Sequence, residues 1–245
     1  INHKNVIPVN FHHERKNEIM HGSLPLFVDG KQEVPEIIFS QLEMSIRAID
    51  LAIKAIVPQL SLELKKVSEE VDANGIKMVQ ALLYSVRNGK RFLTKYESEG
   101  IKRIISLLDA LIAVYNNPEI CLIVDELDSG VFEYLLGELL GTFYEEAKGQ
   151  LIFTSQNLRI LEKLEPKNII CTTINPKNRY LRLLGVEKNH NMRDFYIRTI
   201  VVGGQKEELY DEMNLQSIAY AFKKAMDSKN DVDKKDDKKE FELFG

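Results

Sequence analysis

A short apolar run that stops abruptly in two carboxylates, Cys121-Leu122-Ile123-Val124-Asp125-Glu126, constrains this chain more than any other stretch. Consecutive apolar residues without polar alternation read as a strand buried on both faces, the kind found in parallel sheets covered by helices. Such a strand delivers its last side chains to the crevice beyond its C-terminal end, where open α/β sheets bind ligands. Asp125 and Glu126 fall there. A second run of the same type, Gln150-Leu151-Ile152-Phe153, closes on Thr154-Ser155-Gln156-Asn157, and upstream Glu97-Ser98-Glu99-Gly100 opens a helical stretch.

The spacing of apolar residues sets the surroundings of these segments. Ile38, Leu42, Ile46, Ile49, Ile53 and Ile56 recur every three or four residues and predict a helix from Pro35 that stops near Pro58. Residues 60–64, 67–71 and 79–86 alternate, with Asn74-Gly75 and Asn88-Gly89 as turns, which predicts a small antiparallel sheet. Residues 1–34, interrupted by Pro8, Gly22, Pro25 and Gly30, read as irregular strands or loops. Ile101, Ile104, Ile105, Leu108, Leu111 and Ile112 form the next helical stripe. After it come a strand at 120–124, a helix at 131–147, a strand at 150–153, a helix at 158–164, strands at 168–173 and 180–184, and a helix at 213–226. The alternation predicts an α/β fold: a partly parallel sheet flanked by helices, preceded by a small N-terminal α+β lobe. The expected divisions are 1–95 for that lobe, 96–228 for the main unit, and 229–245 for a disordered tail of mixed charge. Because the chain opens at Ile1 within a strand-like stretch, it reads as part of something longer.

With 44% hydrophobic and 29% charged residues, the 245-residue chain has the balance of a soluble globular protein. No apolar run approaches the roughly 18 residues of a membrane span, and no signal-peptide pattern opens the chain, so the expected location is cytoplasmic. A net charge of −4 gives no global footprint of a nucleic-acid binder. Arg87, Lys90, Arg91 and Lys95, interleaved with Phe92 and Tyr96, read as a solvated strand face or, alternatively, a local nucleic-acid-facing strip. Cys121 and Cys171 both lie in apolar runs and read as small buried hydrophobes rather than a disulfide or zinc pair. His12-His13-Glu14 offers two metal ligands and an acid, yet no further ligands sit at useful spacing.

The acids at the strand end have distinct chemical capacities. In phosphoryl transfer to water, the first can hold Mg²⁺ directly or through water, and the second can orient or deprotonate the attacking water. A Ser-x-Gly turn opening a helix presents unpaired N–H groups to an anion, although Ser98 also suits a plain helix N-cap.

In their order, Glu97-Ser98-Glu99-Gly100, Val124-Asp125-Glu126, Leu127-Asp128-Ser129-Gly130 and Thr154-Ser155-Gln156-Asn157 resemble the signature, Walker B, D-loop and switch segments of an ABC-type ATPase head, a P-loop NTPase. The group includes the structural-maintenance-of-chromosomes (SMC) heads, the RecF-like repair ATPases and the overcoming-lysogenization-defect (OLD-like) ATPases. The OLD-like, AAA-15/AAA-21 type is the most similar, and Asn191 to Arg198 is similar to a C-terminal stretch of these proteins. The resemblance implies ATP and Mg²⁺ as cofactors. It gives Glu126 and Gln156 catalytic positions, Asp125 the metal, and Ser98, Glu99, Gly100 and Asp128 the nucleotide, with Ser98 and Gly100 capping the γ-phosphate held by a partner head. It further implies a head-to-head homodimer, an effector nuclease or toxin as partner, contact with nucleic acid, and work in DNA repair or phage defence.

Gln156 departs from the family pattern, standing where a switch histidine is usual; an amide keeps hydrogen bonding but loses the titratable ring. Phe132 occupies a D-loop position that is often histidine. No G-x-x-x-x-G-K-[ST] occurs, since Gly89-Lys90-Arg91 has neither the preceding glycine nor a following Ser or Thr. The resemblance therefore implies the C-terminal part of a longer ATPase, with a non-hydrolysing scaffold for a nuclease or toxin as the alternative.

Overall fold

The computed structural model describes residues 6–15, 18–186, 191–211 and 213–226, with the side chains of 10–15 and 18–23 outside that description. The chain divides into two compact units, Ile1–Asn168 and Ile169–Gly245. In the first unit, β1 (Val6–Arg15) and β2 (Glu18–Phe27) form an antiparallel hairpin. β3 (Lys31–Pro35), β4 (Ser61–Val71), β5 (Lys77–Arg87) and β6 (Lys90–Leu93) form an antiparallel sheet in which β3, β4 and β6 all pair with β5.

Between β3 and β4 runs α1 (Glu36–Ile56), which buries Ile38, Leu42, Ile46, Ile49 and Ile53. These pack in one core with Ile7, Leu26, Leu60, Leu83 and Ile105, each burial contributing roughly 1.5–3 kcal/mol. The helix ends at Val57, which is extended as expected of a residue before proline. The β5–β6 turn needs two left-handed residues, and Asn88 (φ 50°) and Gly89 (φ 72°) supply them with Arg87 paired to Lys90.

The first unit continues through α2 (Glu99–Asn116), β7 (Cys121–Val124), α3 (Glu133–Glu146) and β8 (Gln150–Phe153). β7 and β8 pair in parallel, Val124 opposite Phe153. Leu127, Leu136, Leu140 and Ile160 close a second core beneath Val124. In the second unit, β9 (Cys171–Thr172) and β10 (Tyr180–Leu181) form a short antiparallel pair, followed by α4 (Met192–Val202) and α5 (215–226).

Several expectations change. Residues 6–15 and 18–27 are not irregular but two paired ten-residue strands, in which Pro8 and Pro25 stand opposite one another. The parallel sheet is small: among the described residues only β7 and β8 pair in this sense. One of its faces is uncovered, with Ile123 73% and Ile152 46% exposed, so Cys121 on that face is exposed while Cys171 is buried. Residues 158–162 form a 3-10 turn rather than an α-helix. The predicted strands at 168–173 and 180–184 shrink to two residues each, and α4 was not predicted. The stretch 229–245 lies outside the described residues. Among those described, no helix is long and apolar enough to cross a membrane.

Candidate functional site

The site is built where β7 and β8 end. Thr154, directly after β8, ties the two strand ends together: its N–H donates to Val124 O (3.1 Å) and its carbonyl accepts from Leu127 N–H (3.0 Å). Its hydroxyl donates to Asp125 Oδ1 at 2.5 Å and accepts from Glu126 N–H at 2.8 Å. Leu127 is buried in the core just described, which pins the corner while Asp125 and Glu126 stay exposed. Glu126 adopts φ 48°, a left-handed conformation that costs a non-glycine residue on the order of 1 kcal/mol and concentrates at functional sites.

The chain then turns tightly, with Ser129 N–H donating to Glu126 O and Val131 N–H to Asp128 O, both at 3.0 Å. Asp128 reaches across to the other strand end, where its Oδ2 accepts from Gln156 N–H at 3.2 Å. Glu126, Asp128, Ser129, Gly130 and Gln156 line one open depression of about 280 Å³.

The Glu97–Gly100 segment abuts this corner through glycine backbones. A Cβ on Gly100 would stand 2.1 Å from Gly130 O, and Gly130 has φ 75°. Only two glycines allow so close an approach. From the next turn of α2, Arg103 Nη2 donates to Asp125 O at 3.2 Å. Ser98 is the N-cap of α2, its hydroxyl accepting from Ile101 N–H at 3.3 Å. Glu99 pairs with the buried Lys102 at 2.5 Å. Gly100, Asp125, Glu126, Asp128 and Gln156 are thus brought to one corner, while Ser98 and Glu99 serve the helix start beside it. Thr154 and Arg103 were not singled out by sequence reasoning. The β7–β8 register is the signal for Thr154, because the residue after Phe153 must face the residue after Val124.

Glu97, just before the cap, receives both Arg87 Nε (3.2 Å) and Nη2 (3.1 Å). Burial pushes its carboxyl up, but the Arg87 guanidinium and the Ser85 hydroxyl together outweigh this and hold it below the usual carboxylate range. A depressed folded-state value stabilises the protein above the ordinary carboxylate range, and that contribution is lost as pH falls through the depressed value. Replacing Glu97 by Gln is therefore expected to cost about 1 kcal/mol at neutral pH, with the gap to wild type closing in acid. Urea unfolding midpoints followed across that range check it; a gap independent of pH would refute it.

The basic strip is partly neutralised. Arg87 pairs with Glu97 and Arg91 with Glu63, while the Arg91 guanidinium also lies 6.0 Å from the Tyr84 ring centre and Lys95 lies 4.9 Å from that of Tyr96. The side chains of His12, His13 and Glu14 lie outside those described, and among the described residues no three His, Cys, Asp or Glu cluster closely enough to hold a metal.

No protein-family model and no curated protein matches this chain. Among solved structures it is similar to SMC ATPase heads. One belongs to work on ATP-driven dimerization and DNA-stimulated activation of SMC ATPases (14% identity, 69% of this chain and 98% of that one, TM-score 0.47). Another is the Smc head domain with a coiled coil and joint from Pyrococcus yayanosii (14% identity, 66% and 30%, TM-score 0.47). A third is the Smc head domain with an extended coiled coil bound to the C-terminal domain of ScpA from Pyrococcus furiosus (13% identity, 51% and 31%, TM-score 0.36). The chain spans under a third of each of these last two.

Proposed function

We propose that this chain supplies the signature, Walker B, D-loop and switch segments of an OLD-like ABC-type ATPase head, which closes with a second copy around Mg-ATP and thereby controls an effector in repair or defence. The observation that carries this reading is convergence: residues 97–100, 125–130 and 154–156, distant in sequence, share one corner through the Gly100–Gly130 approach and the Thr154 and Asp128 hydrogen bonds. A chance match to four short motifs would not require them to meet.

The donor set suits magnesium, which takes oxygen ligands from one or two carboxylates and completes its shell with water and substrate phosphates. Asp125 would hold it, one carboxylate oxygen being fixed by Thr154 and the other left for the ion or its water. When bound, the ion would neutralise charge on the phosphates. Glu126, turned out of the strand line by its left-handed backbone, orients water and takes its proton at a carboxylate oxygen. Gln156 can donate its amide to a phosphate oxygen but cannot exchange a proton. The cradle of backbone N–H groups for the β- and γ-phosphates belongs to a P-loop, so nucleotide binding is assigned to this chain acting with such a segment. ATP turnover by that complete enzyme with Glu126→Gln is the test: loss of turnover with nucleotide retained supports the reading, and unchanged turnover overturns it.

Gln156 favours a second reading, in which head closure positions a nuclease or toxin with little hydrolysis. Gln156→His in the complete enzyme separates the two. A gain in turnover on the order of 10²-fold, the range of an added acid–base group, identifies a degenerate switch. Unchanged turnover shows that the position does not limit hydrolysis.

A further inference from the structure

Helix α5 is capped by Asn214, whose side-chain oxygen accepts from Gln216 N–H (3.0 Å) and Ser217 N–H (3.1 Å). Leu215, Ala219, Phe222 and Met226 recur at intervals of four, three and four residues, so they form one narrow stripe along the helix, with Ile218 and Ala225 beside it. This spacing is the seam by which one helix packs on another. The seam lies open: Leu215 is 77%, Phe222 75% and Met226 62% exposed. Single exposed apolar residues are ordinary on a protein surface, but a continuous helical seam marks an interaction site.

Charge indicates what covers it. The approach to α5 carries exposed acids, Glu208 and Asp211, and its last turn carries exposed Lys223 and Lys224. A segment acidic at one end and basic at the other is complementary to itself when two copies run antiparallel. An isologous pair of this kind also fits the side-chain sizes. With Leu215 opposite the partner's Phe222, Ile218 meets the partner's small Ala219, and Asn214 and Met213 fall opposite the partner's Lys223 and Lys224, so that Asp211, just before them in the chain, is the acid nearest that basic turn. An anionic membrane surface would instead be repelled by Glu208 and Asp211. We propose that α5 pairs antiparallel with α5 of a second copy of this chain, independently of nucleotide.

The experiment is sedimentation of the whole chain over a concentration series without ATP. The expected result is a concentration-dependent doubling of mass, lost in Leu215→Glu/Phe222→Glu. Because those changes could act on folding, charge swaps give the second arm. Lys223→Glu/Lys224→Glu should weaken pairing several-fold, and adding Glu208→Lys/Asp211→Lys should restore it. A chain that stays monomeric, whether or not it co-sediments with phosphatidylserine vesicles, overturns the proposal, as does a dimer indifferent to the seam and charge substitutions. The arrangement uses neither Glu126 nor the Gly100 corner, so its failure would leave the ATPase reading standing, and the reverse also holds.

Discussion

Gly149→Ala is expected to destabilise the first unit by on the order of 3 kcal/mol or more, because the added methyl has nowhere to go. Its Cβ would lie 2.6 Å from Asn117 O, 2.6 Å from Ile120 O and 2.8 Å from Val114 O. These carbonyls cannot retreat independently. Val114 O accepts from Gly149 N–H (2.9 Å), Ile120 O from Gln150 N–H (2.9 Å) and Asn117 O from Ile120 N–H (3.3 Å), so any shift breaks the backbone bonds that join α2, β7 and β8. Against a total stability of roughly 5–15 kcal/mol for a typical domain, such a loss is severe. Gly141→Ala is the control, since its Cβ would meet only Lys163 Cδ at 3.9 Å, and alanine in a helix interior is worth up to about 1 kcal/mol over glycine. Urea titration of both variants by circular dichroism checks the contrast. Equal midpoints for the two alanine variants would refute the steric account.

What could be read from the sequence follows from how local each determinant is. Helix α1 was legible because six isoleucines and leucines keep one face and a proline ends it, and β4 to β6 because alternation and two Asn-Gly turns act within a few residues. The β1–β2 hairpin was not, since paired prolines hide its strands and its buried residues, Ile7, Val9 and Leu26, pack on helices further along the chain. Helix α4 buries only Met192 and Thr199, so its periodicity is too weak to see. For β7, an apolar run specifies a strand but not how many of its faces are covered, and Cys121 and Ile123 lie on the uncovered one. At the site, the acids were legible as residues at a strand end. Their fixing by Thr154 was not, because it depends on the pairing register, and neither was the Gly100–Gly130 approach, which no single segment contains.

On the ATPase reading proposed above, turnover in the complete enzyme carrying Glu126→Gln is expected to fall by roughly 10²–10⁴-fold, the usual contribution of a positioned general base. The substitution keeps the shape of the side chain and removes its charge and its capacity to take a proton, so on that reading nucleotide should remain bound and the closed pair of heads should persist. Strain at this position must be separated from chemistry, because φ 48° is unfavourable for any side chain. Glu126→Gly does so: it relieves the left-handed conformation and should raise the unfolding free energy slightly, by up to about 1 kcal/mol, while abolishing turnover as completely as Gln. If the glycine variant were more stable yet fully active, residue 126 would serve only the turn. If both variants lose turnover while the glycine variant gains stability, the carboxylate itself is the working group, and the energy spent on its backbone is the cost of aiming it away from the strand.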